Sequence, residues 1–240
     1  IFGDMKLEVR DSAGKLLTSL PTSKRRGLSR VAWSMTMPPP RIPPAANAAF
    51  GVGPRYLPGN YTVTLIDGDN QYTSALHVVR DPRVSHSPAD RQAQFALAQR
   101  LYGVLGEMTS LVDRMNGVRE GLQARAAALA ANDSLAPKLR AASGAVDELR
   151  KKIVATKEGG MITGEERLRE NLCDLYGNVV NYEGRPTQTQ VDRAGAIQHE
   201  LADVVADFDA WVAGELPQIN ASLRATGAQP VALPGDKEGK

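Results

Sequence analysis

Three histidines and a pair of aspartates are the residues of this chain whose side chains could most readily support catalysis or metal binding. The histidines, His77, His86 and His199, are far apart in the sequence, and none has a second His, Cys or carboxylate at metal-ligand spacing. Asp67 and Asp69 flank a glycine, but the further ligands of a calcium-binding loop are missing. The sequence therefore predicts no metal site, no cofactor and no catalytic residue.

The single cysteine, Cys173, is the remaining candidate nucleophile. It stands beside Leu172 on the apolar stripe of a predicted helix, without a histidine nearby, which favours a small buried side chain over a reactive thiol. The chain has no phosphate-binding loop, no dinucleotide-binding glycine motif and no Gly-x-Ser-x-Gly nucleophile elbow. We therefore expect a protein that is not an enzyme.

Composition places the chain among soluble globular proteins of one or two domains. It has 240 residues, of which 42% are apolar and 23% charged. The net charge of +2 is too small to indicate a nucleic-acid partner, although residues 1–83 carry 11 Lys and Arg against 6 Asp and Glu. No apolar run approaches the roughly 20 residues that cross a bilayer, so we expect no transmembrane segment.

The hydrophobic pattern changes once along the chain. Apolar and polar residues alternate with a period of two before Asp81, whereas after Ser87 the period is near 3.6. This change predicts an α+β protein of two domains, an antiparallel immunoglobulin-like β-sandwich followed by an antiparallel four-helix bundle. The predicted ranges are 1–83 for the sandwich, 84–227 for the bundle and 228–240 for an irregular tail.

Turn residues divide the first domain into six or so short strands, a number typical of an immunoglobulin-like sandwich. Turns are predicted at residues 11–14 (Asp-Ser-Ala-Gly) and 67–70 (Asp-Gly-Asp-Asn). One strand is predicted at residues 30–35, where Trp33 is expected to be a large core residue rather than a ligand platform.

A proline-rich arm, residues 38–47, interrupts the strands and cannot join a central ladder because proline lacks an N–H donor. One interpretation is an extended, polyproline-like docking arm, and the other is a loop that folds back over its own sandwich. As a docking arm it would offer apolar anchors, while a nearby basic loop would steer an acidic partner. The predicted partner-binding residues are Ile42, Phe50, Val52, Lys24, Arg25 and Arg26.

Capping signals delimit four helices in the second domain. Residues 87–90 (Ser-Pro-Ala-Asp) begin a helix of roughly forty residues, about 60 Å long. A second helix is predicted to end near Lys157, and a third to begin near Thr163. Residues 187–190 (Thr-Gln-Thr-Gln) form a capping box that opens the fourth helix, which is expected to kink or end at Pro217.

Five segments occur in an order that resembles a known family. They are residues 11–14, 27–33 (Gly-Leu-Ser-Arg-Val-Ala-Trp), 53–63 (Gly-Pro-Arg-Tyr-Leu-Pro-Gly-Asn-Tyr-Thr-Val), 81–83 (Asp-Pro-Arg) and 216–220 (Leu-Pro-Gln-Ile-Asn). Together they resemble the C-terminal region of exported bacterial proteins with sortilin-like or BNR-type β-propellers, often labelled glycosyl hydrolases. The β part is similar to the immunoglobulin-like domain of flagellar hook-capping proteins. The chain departs from that family at Ser29 and Ser34, where Asn and Asp are usual, and it lacks the propeller.

The resemblance implies export to the periplasm or the cell exterior and a non-catalytic, supporting role. The chain itself opens on strand-like residues rather than on a signal peptide. We expect a structural module that binds other protein subunits and stabilises a larger assembly, including one on the periplasmic face of a membrane. The alternatives are an accessory domain of a β-propeller glycoside hydrolase and a glycan- or peptide-binding module.

Overall fold

The computed structural model describes residues 5–23, 25, 27–49, 51–130, 133–157, 159 and 164–234. These residues form a four-stranded antiparallel sheet and four helices, which confirms the predicted combination of β and α structure. They divide into two compact units: the first comprises Ile1–Pro39, Val52–Ala98 and Val180–Pro186, and the second comprises Pro40–Gly51, Gln99–Val179 and Thr187–Lys240. The predicted independent folding of residues 1–83 and 84–227 stays a prediction.

The sheet of the first unit has the strand order β2-β1-β3-β4. Its strands are β1 (Met5–Arg10), β2 (Leu16–Leu20), β3 (Gly59–Asp67) and β4 (Asn70–Val78). The Asp11 carboxylate accepts the backbone N–H of Lys15 at 2.9 Å in the first turn, where Gly14 adopts a φ of 81°. Gly68 adopts a φ of 57° in the two-residue turn between β3 and β4. Both predicted hairpin turns are confirmed, since each contains a glycine in the left-handed region.

One face of the sheet is apolar and carries the packed aromatic residues of the first unit. Val9 is almost completely buried and pairs with Val63 across β1 and β3. Trp33 approaches this face with its ring edge-on to Tyr61, at 5.2 Å between ring centroids, and it also lies 5.8 Å from the ring of Tyr56. Edge-on aromatic contacts of this kind stabilise a core, in agreement with the role predicted for Trp33.

Residues 30–35 do not form the predicted strand. Met35 adopts a φ of 58°, the left-handed region that residues with a side chain rarely occupy, and this interrupts the extended backbone. Directly after this stretch, Thr36 forms an isolated antiparallel bridge with Arg55. The described residues therefore hold one sheet of four strands.

Gly53 lies where two backbone segments of the first unit meet. Met37 donates its N–H to the carbonyl of Pro54 at 2.9 Å, and Tyr56 donates to the carbonyl of Met35 at 2.7 Å. A Cβ atom at position 53 would lie only 1.9 Å from the carbonyl oxygen of Met37. The two segments can therefore approach this closely only with glycine at position 53, the first residue of the 53–63 segment.

Two of the four helices, the first and the fourth, begin at their predicted caps, and other helix ends differ from the prediction. The four helices are α1 (Pro88–Ala128), α2 (Leu135–Ile153), α3 (Leu168–Val180) and α4 (Gln188–Ala225). Ser87 accepts the N–H of Asp90 at 3.1 Å, and the predicted capping box at Thr187 is present. Helix α2 ends at Ile153, before the predicted Lys157, whereas Thr163, the predicted start of the third helix, lies outside the described residues.

Helix α4 continues through Pro217 to Ala225 instead of ending there. Proline removes one helical hydrogen bond and costs about 3 kcal/mol in a helix interior. Here Leu216 and Leu223 are buried on either side of it, and the Gln218 side chain donates to the carbonyl of Gly214 at 3.0 Å. Burial of these two leucines supports the helix on both sides of the proline.

The predicted apolar stripes of the helices are buried. The buried positions include Leu101, Leu105, Met108, Val112, Met115, Leu139, Val146, Leu172, Val179, Ile197, Leu201 and Phe208. Residues 228–234, at the start of the predicted tail, have no regular structure but pack in the second unit. Val231 is buried and exchanges two hydrogen bonds with the Asn220 side chain, at 2.8 and 3.0 Å. The second unit therefore extends beyond its last helix.

Candidate protein interaction surface

The predicted partner-binding residues belong to both units. Arg25 is exposed in the first unit, and Val52, also in the first unit, is 55% exposed. Ile42 is half-buried in the second unit. The predicted residues outside the described part of the chain are Lys24, Arg26 and Phe50. A partner-binding role for these six residues stays a prediction.

Most of the proline-rich arm is bound to helices of the second unit. Arg169 of α3, only 3% exposed, donates to the carbonyl of Pro43 at 2.7 Å and to that of Asn47 at 3.1 Å. Thr109 of α1 donates to the carbonyl of Arg41 at 3.0 Å. These hydrogen bonds fix the arm against its own helices, a contact that neither interpretation of the sequence anticipated.

The segment between α2 and α3 extends this anchor. The side-chain amide of Asn47 donates to the backbone carbonyl of Glu165 at 3.0 Å. The Glu165 carboxylate in turn accepts the N–H of Thr156 at 2.8 Å and the Arg167 guanidinium at 2.9 Å. The hydrogen bond from Thr156, followed by that from Arg167, lowers the pKa of Glu165 to about 2. Glu165 is therefore ionised in the folded protein down to strongly acidic pH.

We expect this carboxylate to give the protein a specific acid sensitivity. Because the pKa of Glu165 falls from its ordinary value of 4.5 to about 2 on folding, its stabilising effect is complete above pH 4.5 and is lost as the pH falls toward 2. Replacing Glu165 with Gln should flatten the acid limb of the urea-unfolding midpoint measured against pH. The control, Glu166→Gln at the exposed neighbouring residue, should keep the wild-type acid limb. If Glu165→Gln keeps it as well, then Glu165 does not contribute to the acid sensitivity.

Exposed apolar side chains concentrate in the first unit. Among the described residues, the large exposed ones of the first unit are Leu16, Leu28, Val52, Tyr72, Val79 and Tyr182. Val191 is the corresponding residue of the second unit. Leu28 is fully exposed and Val79 is 68% exposed. Single exposed apolar residues are normal, but an excess on one unit marks it as the better candidate for contact with a partner.

A groove of about 170 Å³ lies beside Val79 in the first unit. Its apolar lining residues are Met35, Tyr56, Pro58, Val78, Val79 and Val84. Its polar lining residues are Arg55, Arg80, Asp81, His86, Arg91 and Glu183. Small-molecule sites usually enclose about 300 Å³ or more, so the groove is better matched to a single side chain of a protein partner.

Arg91, in the first turns of α1, holds one side of the groove in place. It is 6% exposed and donates to the backbone carbonyl of Arg55 at 2.6 Å and to the side chain of Gln94. Burial lowers the pKa of the Arg91 guanidinium, and the charge of Glu183 acts in the opposite direction. This role could not be predicted from the sequence, because an arginine near the start of a helix is usually solvated.

The carboxylates at the groove are already paired. Asp81 accepts three hydrogen bonds from the Arg83 guanidinium, at 2.6, 3.0 and 3.2 Å, and hydrogen bonding from Arg83 lowers the pKa of Asp81. Glu183 lies 3.5 Å from the Arg55 guanidinium. A lowered pKa makes a carboxylate a weaker general base. A side chain that enters the groove would therefore meet carboxylates that already face arginines.

The histidine of the groove packs against an aromatic ring, and a neighbouring acid caps α1. The ring of His86 lies edge-on to that of Tyr182, with 5.2 Å between centroids. Asp90 accepts the Ser87 hydroxyl at 2.7 Å and the Arg185 guanidinium at 2.8 Å. The bond from Arg185, followed by those from Ser87, holds the pKa of Asp90 well below its usual range. These contacts join residues 180–186 to the start of α1 within the first unit.

A second hollow, of about 360 Å³, lies between α1 and α2 in the second unit. Arg119 pairs with Asp147 at 2.9 Å, and Gln123 donates to the hydroxyl of Ser143 at 3.1 Å. Burial acts to raise the pKa of Asp147, but hydrogen bonding, chiefly from Arg150, lowers it overall. The Nε atom of Arg119 is buried and has no hydrogen-bond partner among the described residues. This hollow is lined by a polar network whose carboxylate already has cationic partners.

In the described part of the chain, no three or more His, Cys, Asp and Glu residues are grouped so that they could hold a metal ion. No helix in those ranges is both long and apolar enough to cross a membrane. Burial raises the pKa of the Cys173 thiol to about 11, so at neutral pH it is protonated and a poor nucleophile.

Comparison with protein-family models, curated proteins and solved structures found no match for this chain. The resemblance to the C-terminal region of β-propeller proteins therefore stays a prediction from the five sequence segments. Any functional conclusion depends on the surface chemistry of the two units.

Proposed function

We propose that this protein is a non-catalytic structural module that binds other protein subunits and stabilises a larger assembly. The concentration of exposed apolar side chains in the first unit is the observation that supports it. The sequence resemblance adds export and a periplasmic or extracellular location, with an assembly on the periplasmic face of a membrane as one such setting. The groove beside Val79 would receive a partner's side chain at this surface.

In its finer architecture, we propose an immunoglobulin-like sandwich for the β part and an antiparallel four-helix bundle for the helical part. The hydroxyl of Tyr61 donates to the carbonyl of Leu57, four residues upstream. A tyrosine that binds the preceding backbone in this way is a recurring feature of immunoglobulin-like domains. The edge-on packing of Trp33 on the same ring agrees with that architecture. The buried apolar stripes of the four helices support the bundle.

The second candidate is an accessory domain of a β-propeller glycoside hydrolase, which the resemblance alone favours. The mass of the native polypeptide separates the two proposals. A polypeptide near 25.8 kDa, the mass of this chain, excludes an attached propeller, whereas one several times larger restores the enzyme proposal. We also expect the purified chain to hydrolyse neither glycosides nor peptides; turnover that disappears when one Asp, Glu or His is replaced would contradict this.

Replacing Val52 and Val79 together with serine is expected to weaken association with the native assembly at least about tenfold. Central apolar contacts contribute most of the binding energy of an interface, and both side chains are more than half exposed in the free chain. The measurement is quantitative mass spectrometry of proteins that co-purify with the tagged chain from its native host. Because both side chains are exposed, the melting temperature should change by less than about 2 °C.

The matched control is Val191→Ser, at the exposed valine of the second unit. It should leave the co-purified proteins unchanged. Equal losses from both variants would show that binding does not depend on the first unit. Unchanged recovery with the double variant would direct the search to the helical unit. Replacing Ile42 and Phe50 with serine tests the arm in the same assay.

A further inference from the structure

Among the residues that the structure describes, strand β4 leaves one edge of the sheet unpaired. In the described part of the chain, Asn70–Val78 pairs with β3 on one side, and β4 is the last strand in the sheet order. Its nine residues, Asn-Gln-Tyr-Thr-Ser-Ala-Leu-His-Val, include no Lys, Arg, Asp, Glu or Pro. Residues 70–75 are all exposed, so both faces of this part of the strand are open to solvent.

Natural sheets usually protect such edges with short strands, charges, prolines or bulges. The opposite edge, β2, has this protection: it is five residues long, Pro21 follows it, and its pairing with β1 is irregular between Val9 and Arg10. Strand β4 is nearly twice as long, and its pairing with β3 is regular throughout. A long, uncharged, regular edge is a template for pairing with another strand.

The hairpin geometry determines which backbone groups of β4 point away from β3. Asp67 and Asn70 close the two-residue turn, so they form a hydrogen-bonded pair, and every second residue along β4 then bonds to β3. The residues between them direct their N–H and C=O groups away from β3. These residues are Gln71, Thr73, Ala75 and His77.

We propose that β4 pairs antiparallel with β4 of a second copy of this chain, centred on Ser74, so that two sheets of four strands become one continuous sheet. In this register Thr73 lies opposite the second copy's Ala75, and Gln71 lies opposite its His77. Both pairs join residues whose backbone groups point outward, so every free donor in them meets an acceptor.

The side chains of β4 favour a second copy of β4 as the partner strand over a strand that carries charges. Tyr72, 61% exposed in one copy, is placed directly opposite the second copy's Leu76 in a close, non-hydrogen-bonded pair. Aromatic and aliphatic side chains stabilise each other in such cross-strand pairs. No charge opposes another along the edge, whereas a charged strand would find no countercharge on it. The pairing is also self-complementary and closes on a two-fold axis instead of growing into a filament.

This self-association is separate from the proposed contact with an assembly, and its test needs only the purified chain. By sedimentation velocity, the mass should rise from 25.8 kDa toward twice that value between about 1 and 300 μM. Two double variants then test the strand, Thr73→Lys with Ala75→Lys, and Thr73→Glu with Ala75→Glu. In each variant, like charges face each other where residue 73 of one copy lies opposite residue 75 of the other, and this pair occurs twice across the two-fold axis. Self-association should therefore weaken about tenfold or more.

An equimolar mixture of the two variants should restore the doubled mass, because opposite charges then face each other in both pairs. A misfolded variant could not be rescued in this way. The matched control, Ser12→Lys with Ala13→Lys in the exposed turn between β1 and β2, should associate as the wild type does. The proposal is overturned if the wild type keeps the mass of one chain throughout. It is also overturned if the β4 variants associate normally, if their mixture fails to recover, or if the species grow beyond two chains.

Discussion

Replacing Gly53 with alanine is expected to destabilise the first unit by about 3 kcal/mol or more. The added Cβ would lie 1.9 Å from the carbonyl oxygen of Met37, 2.4 Å from its carbonyl carbon and 2.5 Å from the carbonyl oxygen of Pro38. All three atoms belong to the backbone, so no side-chain rotation can relieve the contact. The two segments must separate, and the bonds from Met37 to Pro54 and from Tyr56 to Met35 should be lost.

Hydrogen exchange measures this effect locally, since protection of the Met37 and Tyr56 amides should fall in the Gly53→Ala variant. The melting temperature should fall by about 6 to 12 °C, as a loss of about 3 kcal/mol implies for a chain of this size. The control is Gly59→Ala at the start of β3, where no atom lies within 4 Å of the added Cβ. That variant should be neutral or slightly stabilising because alanine reduces the entropy of the unfolded chain. Similar losses in both variants would contradict the role assigned to Gly53.

The parts of the fold that could be predicted from the sequence are those determined by local chemistry. The glycine of each hairpin turn takes the left-handed conformation that only glycine adopts easily. The turns at Gly14 and Gly68 could therefore be predicted from the positions of these two residues. The helix caps at Ser87 and Thr187 could also be predicted, because each hydroxyl accepts the backbone N–H of the residue three positions later in the chain. Signals of this kind span three or four residues and do not depend on the rest of the chain.

The parts that could not be predicted depend on contacts distant in sequence. The pattern of residues 30–35 favours a strand, but the left-handed backbone of Met35 is set by the Gly53 segment that crosses it. Neither interpretation of the proline-rich arm placed it against the helices, because its partner, Arg169, lies more than 120 residues away in the sequence. Arg91 illustrates the same limit, since nothing near it marks a buried cation.

The candidate interaction surface could likewise be predicted from the sequence only in part. Sequence reasoning identified Val52, which is exposed, but Val79 was not recognised because it directly follows a strand whose alternation predicts one buried face. The uncharged run of β4 is visible in the sequence, yet its meaning depends on sheet order. An uncharged strand is ordinary at the centre of a sheet and becomes a template for pairing only at the edge.

Replacing Arg169 with methionine should destabilise the second unit by about 2 to 4 kcal/mol. The change keeps the length of the side chain but removes the donors to the Pro43 and Asn47 carbonyls, which lie 2.7 and 3.1 Å from the guanidinium. It also removes the cationic partner of the Glu170 carboxylate, whose side chain is 14% exposed and which keeps the N–H of Arg167 at 3.0 Å. Two carbonyls then lack their donor and one largely buried carboxylate loses its cation, and such groups carry most of the cost.

The matched control is Arg41→Met in the arm itself. Arg41 pairs with Asp113 at 2.7 Å, but their side chains are 66% and 47% exposed. Exposed ion pairs contribute roughly 0 to 1 kcal/mol, so this variant should unfold in urea close to the wild type. Arg169→Met should also speed proteolysis of the proline-rich arm, because the arm loses the side chain that holds two of its carbonyls. If the two variants unfold alike and the arm stays protected in both, then Arg169 does not anchor it, and Thr109 and Asn47 hold it instead.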